Sequence, residues 1–454
     1  MRCNQRWCCM IGLFLITSVC VSQPCQRDPF LDLVQYRSFL YFWELTNPQN
    51  GLTPDRSPTY TFCSIAAVGF GLSSYLVAVE RQWIGRAEAA ERVLTTLRFF
   101  WNAAQGTDPA KCTGYQGFFY HFLDMQTGLR YANVELSSID TTLLMAGILS
   151  VATYFDQDNP VEYEIRVLAD ELYRRMNWTW FCVRPNLVSM GWHPETGFLG
   201  HDWQGYNEGM ILYILGLGSP THPLPKEAWE SWCNTYIRQE FQHQTYIQFA
   251  PLFGHQYSHI WIDFRGIQDD YMQQKQSDYF QNSRAAVYAN RSYCISNPQG
   301  WQGYSDRIWG LTACDGPADK ILLIHGKIRE FHTYWARGAS TQEICDDGTI
   351  APTAAGGSIP FAPEICIPAL KAMYEQYGTR IFGAYGFYDA FNLTYPQEAN
   401  GWFDQDYLGI DQGPIVLMIE NYTTEFLWSL MKKNPYIKQG LQKAGFRGGW
   451  LDSK

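Results

Sequence analysis

The chain has 454 residues and a formal net charge of −10, with 17% charged and 16% aromatic residues. The acidic balance argues against nucleic acid as a partner and against polyanionic substrates. Few charges and many rings leave two readings: a large aromatic core, or a groove that stacks flat apolar faces such as those of sugar rings.

In chain order, Arg2 and Arg6 precede an apolar run over residues 8–21 that is too short to cross a bilayer. Small residues Cys20 and Ser22 place a cleavage site before Gln23, so residues 1–22 read as a secretory signal. No lipid-anchor pattern precedes Cys20 or Cys25, and no later run is long enough to span a membrane. Residues 23–454 are therefore expected to form an exported, soluble, monomeric protein without membrane association. Of 13 cysteines, Cys3, Cys8, Cys9 and Cys20 leave with the signal. The rest form no CxxC pair, and in an oxidising compartment some are expected to bridge, with at least one left unpaired. Sequons at Asn177, Asn290, Asn392 and Asn421 would carry glycans only in a eukaryotic secretory route.

Helical periodicity recurs over residues 30–46, 62–80, 86–104, 138–155, 160–178, 208–217, 226–238, 268–294, 362–377, 414–432 and 434–443. Two β-hairpins are predicted, over 118–131 with a turn at Gln126-Thr-Gly128 and over 188–199 with a turn at Glu195-Thr-Gly197, besides a short extended run over 321–328. With no linker, this predicts one all-α domain of about a dozen helices. A ring of helix pairs suits that size, since each pair packs mainly on its neighbours.

A weak repeat supports the ring. Three extended aromatic segments each lead to an acid and then a nearly solid apolar helix: Asp140, Glu208 and Asp411. Helices apolar all round are inner helices. If these belong to one ring, their entries converge on one mouth and the acids face each other across a cleft. The tetrapeptide Trp203-Gln-Gly-Tyr206 also returns as Trp301-Gln-Gly-Tyr304.

Such acids fit glycosidic hydrolysis, which needs one protonated and one ionised carboxyl group. Glu208 is the candidate proton donor. Glutamate is a poor N-cap and Asn207 stands beside it, so helix punctuation does not explain it. A helix N-terminus favours the charged form, so burial against Trp203 and Tyr206 must outweigh it. Asp140 and Glu135 are candidates for the ionised partner, although Ser137 with Asp140 also matches a capping box. Pro414 suits a first helical position, which would put Asp411 in the loop at the mouth. Asp404 and Asp406, beside Trp402 and Tyr407, are similar candidates.

Residues 254–266 are the densest polar-aromatic run. His255, Gln256, His259, Asp263 and Arg265 are read as substrate hydrogen-bonding groups, with an internal Asp263–Arg265 ion pair as the alternative. His255 and His259 are four apart, but Gln256 stands where a metalloprotease helix has glutamate, so no metal site is expected. There is no GxSxG nucleophile and no phosphate or dinucleotide loop, and no cofactor is expected. The small residues over 64–72 read as tight helix packing.

Five strings carry a family resemblance: Ser64-Ile-Ala-Ala-Val-Gly-Phe-Gly-Leu72, Tyr206-Asn-Glu-Gly209, the run 252–266, Trp309-Gly-Leu-Thr-Ala-Cys-Asp-Gly-Pro317 and Asp411-Gln-Gly-Pro414. From about residue 28 to 451 the chain resembles the glucoamylase-like domain of glycoside hydrolase family 144, the endo-β-1,2-glucanases. The resemblance implies an (α/α)6 toroid with short β-hairpins at its mouth, and cofactor-free hydrolysis of β-1,2-glucan to sophoro-oligosaccharides. It implies that Glu208 is the general acid and that the second carboxylate comes from the stretch around Glu135 and Asp140. Trp203, Tyr206, Trp261, Trp309 and Trp402, with the polar groups above, are then expected to bind the saccharide. The alternatives are an exo-acting or α-glucan-directed enzyme on the same fold, or a glucan-binding protein without catalysis.

Overall fold

Two long apolar runs, 65–79 and 141–151, each follow a serine that can cap a helix. In the computed structural model, which describes residues 28–397 and 400–452, both serines do so. Ser64 Oγ accepts from the Ala67 amide at 3.3 Å, and Ser137 Oγ accepts from the Asp140 amide at 3.1 Å. The expected signal, residues 1–22, lies outside the described residues.

The helices in chain order are α1 (Pro29–Leu45), α2 (Ile65–Glu80), α3 (Arg86–Asn102), α4 (Ser138–Tyr154), α5 (Pro160–Arg174), α6 (Trp178–Phe181), α7 (Gly209–Gly218) and α8 (Ala228–Cys233). They continue with α9 (Tyr257–Trp261), α10 (Asp270–Lys275), α11 (Tyr279–Ser296), α12 (Pro352–Gly356), α13 (Pro363–Tyr377), α14 (Gly409–Thr424), α15 (Phe426–Met431) and α16 (Pro435–Lys443). The protein is mainly helical, and its strands form only two- and three-stranded sheets among the described residues.

Burial sorts the helices. Helices α2, α4, α7 and α14 are buried nearly all round, whereas α3, α5, α13 and α16 bury one stripe. The buried set packs in a circuit, α2 on α4, α4 on α7, α7 on α9, α9 on α14 and α14 on α2, with α12 against α14. Around it, α1 packs on α2 and α14, α5 on α4, α16 on α7 and α13 on α12. Gly69 and Gly147 set the α2–α4 approach: a Cβ on Gly147 would lie 2.2 Å from the Gly69 carbonyl oxygen, and one on Gly69 2.3 Å from that of Leu143. The small residues over 64–72 are thus packing residues, as their sequence indicated. One apolar cluster runs from Leu31 to Phe446.

Several predicted boundaries move. The stretch 268–294 divides into α10 and α11 because Gln276 takes a left-handed backbone and Asp278 starts a new helix as its cap. The periodicity over 226–238 ends at Cys233, since Arg238 already pairs in a strand. Both predicted hairpins form: Asp124 N–H donates to Leu129 O at 2.8 Å around the first turn, and Trp192 pairs with Phe198 in the second. The run 321–328 is itself a hairpin, Lys320–Ile324 against Lys327–Phe331, turning at His325 and Gly326, both with positive φ.

The bridging expected of the cysteines is not found: all eight described ones are free thiols, six of them buried. Asn290, Asn392 and Asn421 are buried and hydrogen-bonded, and Asn177 caps α6, so none of the sequons presents a free amide. No described helix is long and apolar enough to cross a membrane.

Candidate active site

Helix α7 begins at Gly209 with Glu208 as its N-cap residue, yet the Glu208 side chain caps nothing. Its neighbours take over that task. Asn207 Oδ1 accepts from Gly209 N–H at 3.0 Å, and Ser258 Oγ from α9 accepts from Ile211 N–H at 3.0 Å while donating to Glu208 O at 3.1 Å. The carboxyl group is thereby released. It is 9% exposed, and its Oε2 has no hydrogen-bond partner. Burial pushes its pKa up to about 8, with the negative charge of Asp140 adding to the rise and a backbone hydrogen bond opposing it. Burial therefore outweighs the helix terminus, the condition required of a proton donor.

Glu208 opens into a cavity of about 340 Å³, at the lower end of the range for small-molecule sites, roughly 300–1,000 Å³. Trp203, Asp140, Glu135 and His121 line it with Glu208. Trp203 is fixed by its indole N–H, which donates to Ser138 Oγ at 2.9 Å. Asp140 lies in the first turn of α4; Ser137 Oγ caps its amide, as the sequence suggested, and donates to its Oδ2 at 2.6 Å, while the reciprocal bond of a capping box, from the Ser137 amide to Asp140, is not found among the described residues. Ser137 does the capping, which leaves the Asp140 carboxylate to line the cavity.

His121 is the residue that sequence reasoning missed. Its Nδ1 lies 2.8 Å from Glu135 Oε1 and its Nε2 3.4 Å from Asp140 Oδ1. Burial opposes its charge, but the two carboxylates prevail and raise its pKa to about 9. Burial opposes the charge on Glu135 as well, but His121 outweighs it and holds Glu135 below the usual carboxylate range. At Asp140 burial dominates and raises the pKa. One cavity therefore holds a protonated carboxyl at Glu208 and an ionised one at Glu135. A histidine beside an aromatic strand carries no sequence signal; only the pairing of residues 63–64 with 122–123 brings it to the mouth.

A second acid group adjoins this cavity, whose lining includes Ala313 and Ile410. Asp411 lies in the first turn of α14, not in a loop, because the helix starts at Gly409 and carries Pro414 inside it. The ring of Pro414 leaves the Ile410 carbonyl without its helical donor. The Tyr257 hydroxyl supplies one at 3.0 Å. Burial and then the charges of Asp411, Glu208 and Asp140 push that hydroxyl well up, so the two acid groups share one electrostatic space.

Asp389, Asp404 and Asp411 are all pushed upward, burial being the largest cause at each, and each keeps one oxygen without a partner. Arg56 Nη1 contacts this group, 2.6 Å from Asp315 Oδ2 and 3.8 Å from Asp406 Oδ2. Asp315, Asp389 and Asp404 each offer an oxygen, all within 4.8 Å of one another, a spacing that could accept a cation or a set of substrate hydroxyls. Trp402 is 9% exposed and packs with Cys314, Ala351 and Ala390 behind these acids rather than presenting a ring to the cavity.

The run 254–266 does not reach the cavity, apart from Tyr257. His255, Gln256, His259 and Trp261 are at most 1% exposed. Gln256 donates to Ser358 Oγ at 2.8 Å and to Ala354 O at 3.1 Å, which ties α9 to α12. Burial lowers His255 to about 4 and His259 to about 3, so both are neutral core side chains. The Trp261 indole donates to Ser73 Oγ at 2.9 Å. Burial opposes the charge on Asp263, but Arg265 at 2.7 Å and Lys432 at 2.5 Å hold it low; the internal ion pair is the correct reading. Tyr206 is likewise buried, against Ser283 and His259, and Trp309 is fully buried. These residues support the site from behind and do not line it.

A mainly helical fold with a carboxyl-lined cavity defines the class, and the comparisons agree with it. The Glycoamylase family model, described as "Putative glucoamylase", matches residues 200–435. The chain belongs to this glucoamylase-like family. A crystal structure of a Bacteroides uniformis protein described in the same words shares 34% identity and a TM-score of 0.81, covering 93% of this chain and 98% of that one. The endo-β-1,2-glucanase of Chitinophaga pinensis, solved with sophorotriose and glucose, shares 30% identity and a TM-score of 0.81 over 93% of this chain and 99% of that one. An exo β-1,2-glucooligosaccharide sophorohydrolase of Parabacteroides distasonis is 30% identical over 92% of this chain. The chain spans 58% of the length of that curated relative.

Proposed function

We propose that this protein is a secreted, monomeric glycoside hydrolase that cleaves β-1,2-glucan within the chain. The observation that carries the reading is Glu208: a buried carboxyl whose Oε2 has no partner, protonated near neutral pH, sharing a cavity with an ionised carboxylate. In this reading Glu208 gives its proton to the glycosidic oxygen as the C1–O bond breaks, and a water attacks C1 while passing its proton to the ionised partner. Glu135, which His121 holds low, is that partner, with Asp140 beside it on the same imidazole. The unpartnered oxygens of Asp404 and Asp411 support a second reading, in which the base stands on the other acid group.

Three further features fit. The alternation of fully buried and one-sided helices supports the reading of an (α/α)6 toroid, proposed as a single domain over residues 23–454. The charged, then apolar, start of the sequence supports export, which N-terminal sequencing of the secreted protein tests. End-to-end correspondence with the Chitinophaga pinensis endo-β-1,2-glucanase supports internal cleavage, whereas the Parabacteroides distasonis relative favours exo release of sophorose. Incubation with β-1,2-, β-1,3- and α-1,4-glucans, followed by sizing of the products, separates these. A ladder of sophoro-oligosaccharides from β-1,2-glucan alone supports the proposal. Sophorose as sole product indicates exo action, and hydrolysis of only α-1,4-glucan refutes the linkage.

A further inference from the structure

The wall of the cavity continues outward as a row of rings. His121, which lines the cavity, stacks on Phe122 with centroids 3.9 Å apart and planes at 27°. Phe122 meets Phe62 at 4.1 Å, and Phe62 meets Tyr131 at 4.7 Å. The chain itself builds this row. The strand Cys63–Ser64 pairs with Phe122–Leu123, and the turn at 124–128 returns the chain so that Tyr131 N–H donates to Phe122 O at 3.0 Å. Two strands and one turn therefore bring three rings from distant positions onto one surface.

The row is open to solvent. Phe62 and Phe122 are only partly covered, Tyr131 is 42% exposed and nearby Tyr60 is 86% exposed. The cluster around Trp232 and Tyr279, both fully buried, is by contrast closed over. Rings left in water beside a cavity mark a surface with a use. The one charge at the row, on His121, is engaged by Glu135 and Asp140, and Phe62, Phe122 and Tyr131 carry none. With an overall charge of −10, the surface does not suit an anionic polymer. Rings open to solvent, continuous with a cavity of polar acids, suit a neutral pyranose chain whose apolar faces lie flat on them.

We propose that Phe62, Phe122 and Tyr131 form an outer saccharide subsite that holds the glucan beyond the cavity. This rests on the proposed glucanase reading and deepens it. A chain gripped on a shelf outside the cavity extends beyond the units held within it. Loss of the shelf then weakens long ligands more than short ones.

The test uses the full mature protein carrying Glu208→Gln, so that ligands are bound and not consumed. Calorimetry compares a sophoro-trisaccharide with a β-1,2-gluco-oligosaccharide of about eight or more units, before and after adding Phe62→Ala or Tyr131→Ala. Each substitution is expected to weaken the long ligand about 3- to 10-fold more than the short one, the scale of one aromatic contact. Tyr131→Phe is expected to restore the long-ligand affinity. Equal losses for both lengths, or no loss for either, overturn the shelf. Melting temperature identifies a variant that has merely unfolded, and exposed Tyr131 guards against that outcome at Phe62.

Hydrolysis by the unsubstituted protein is measured alongside. If it cleaves another neutral glucan and not β-1,2-glucan, the linkage reading fails, and the shelf is judged on oligosaccharides of that glucan. If no neutral glucan binds at all, the shelf fails with it.

Discussion

Glu208 and Asp263 are both acids buried beside tryptophan-rich packing, and the molecule treats them in opposite ways. Asp263 is 3% exposed and has two cations, Arg265 and Lys432, that hold it ionised. Glu208 is 9% exposed with no cation, and burial leaves it protonated up to about pH 8. The difference lies in partners and not in depth. A buried acid with its charge satisfied is a structural tie; one left unsatisfied beside a cavity holds a proton that it can give away.

The comparison can be broken at several points. The largest effect is expected from Glu208→Gln, which keeps shape and burial but removes the proton: kcat falls about 10²–10⁴-fold, read as reducing ends released from β-1,2-glucan. Asp263→Asn has the opposite profile. It takes the carboxylate away from Lys432 and leaves Arg265 only Glu425, so chemical denaturation shows a loss of about 2–3 kcal/mol, reduced from a fully buried pair because both cations are partly exposed. Activity per folded molecule is expected to persist.

His121→Asn acts between these two. Without the imidazolium, Glu135 loses the partner that holds it low, so the acidic limb of the pH–activity profile moves upward. The sign of the Glu208 effect on stability is set by its raised folded pKa. The native state binds its proton more tightly than the unfolded chain, so this group's contribution falls as pH rises from about 4.5 towards 8 and is level above that. The slope is about 1.4 kcal/mol per pH unit at most. Glu208→Gln is therefore expected to be stabilising relative to the parent at about pH 9 and close to neutral at about pH 4, as thermal melts at both pH values would show. The smallest effect belongs to His255. Being neutral and fully buried, it is expected to leave both limbs of the profile in place when replaced by Gln, even if the melting temperature drops.

Much of the frame was legible because it depends on local rules. The serine caps at Ser64 and Ser137, the apolar runs behind them and the Gly-containing turns at 126–128 and 195–197 all act within a few residues. Glu208 stood out for a local reason as well, since glutamate beside Asn207 makes no sense as a cap. The run 254–266 misled because polarity alone does not say where a side chain points. His255 bonds to Phe249 O, His259 to Ser283 on α11 and Gln256 to Ala354 and Ser358 at α12, partners whose positions are set by tertiary packing. His121 and Asp389 stayed hidden for the same reason, as strand pairings of residues far apart carry them to the mouth. The start of α14 was misjudged because a helix tolerates Pro414 when Tyr257 serves the carbonyl that the proline abandons.

The account rests on a protonated Glu208, and its most direct test is hydrolysis of β-1,2-glucan across pH by the parent and by Glu208→Gln, with sophoro-oligosaccharide binding measured on both. The parent is expected to lose activity as pH rises through about 8, and Glu208→Gln to bind the oligosaccharide while releasing reducing ends at least about 100-fold more slowly at every pH. Hydrolysis by Glu208→Gln within about tenfold of the parent, with the same alkaline limb, would contradict it.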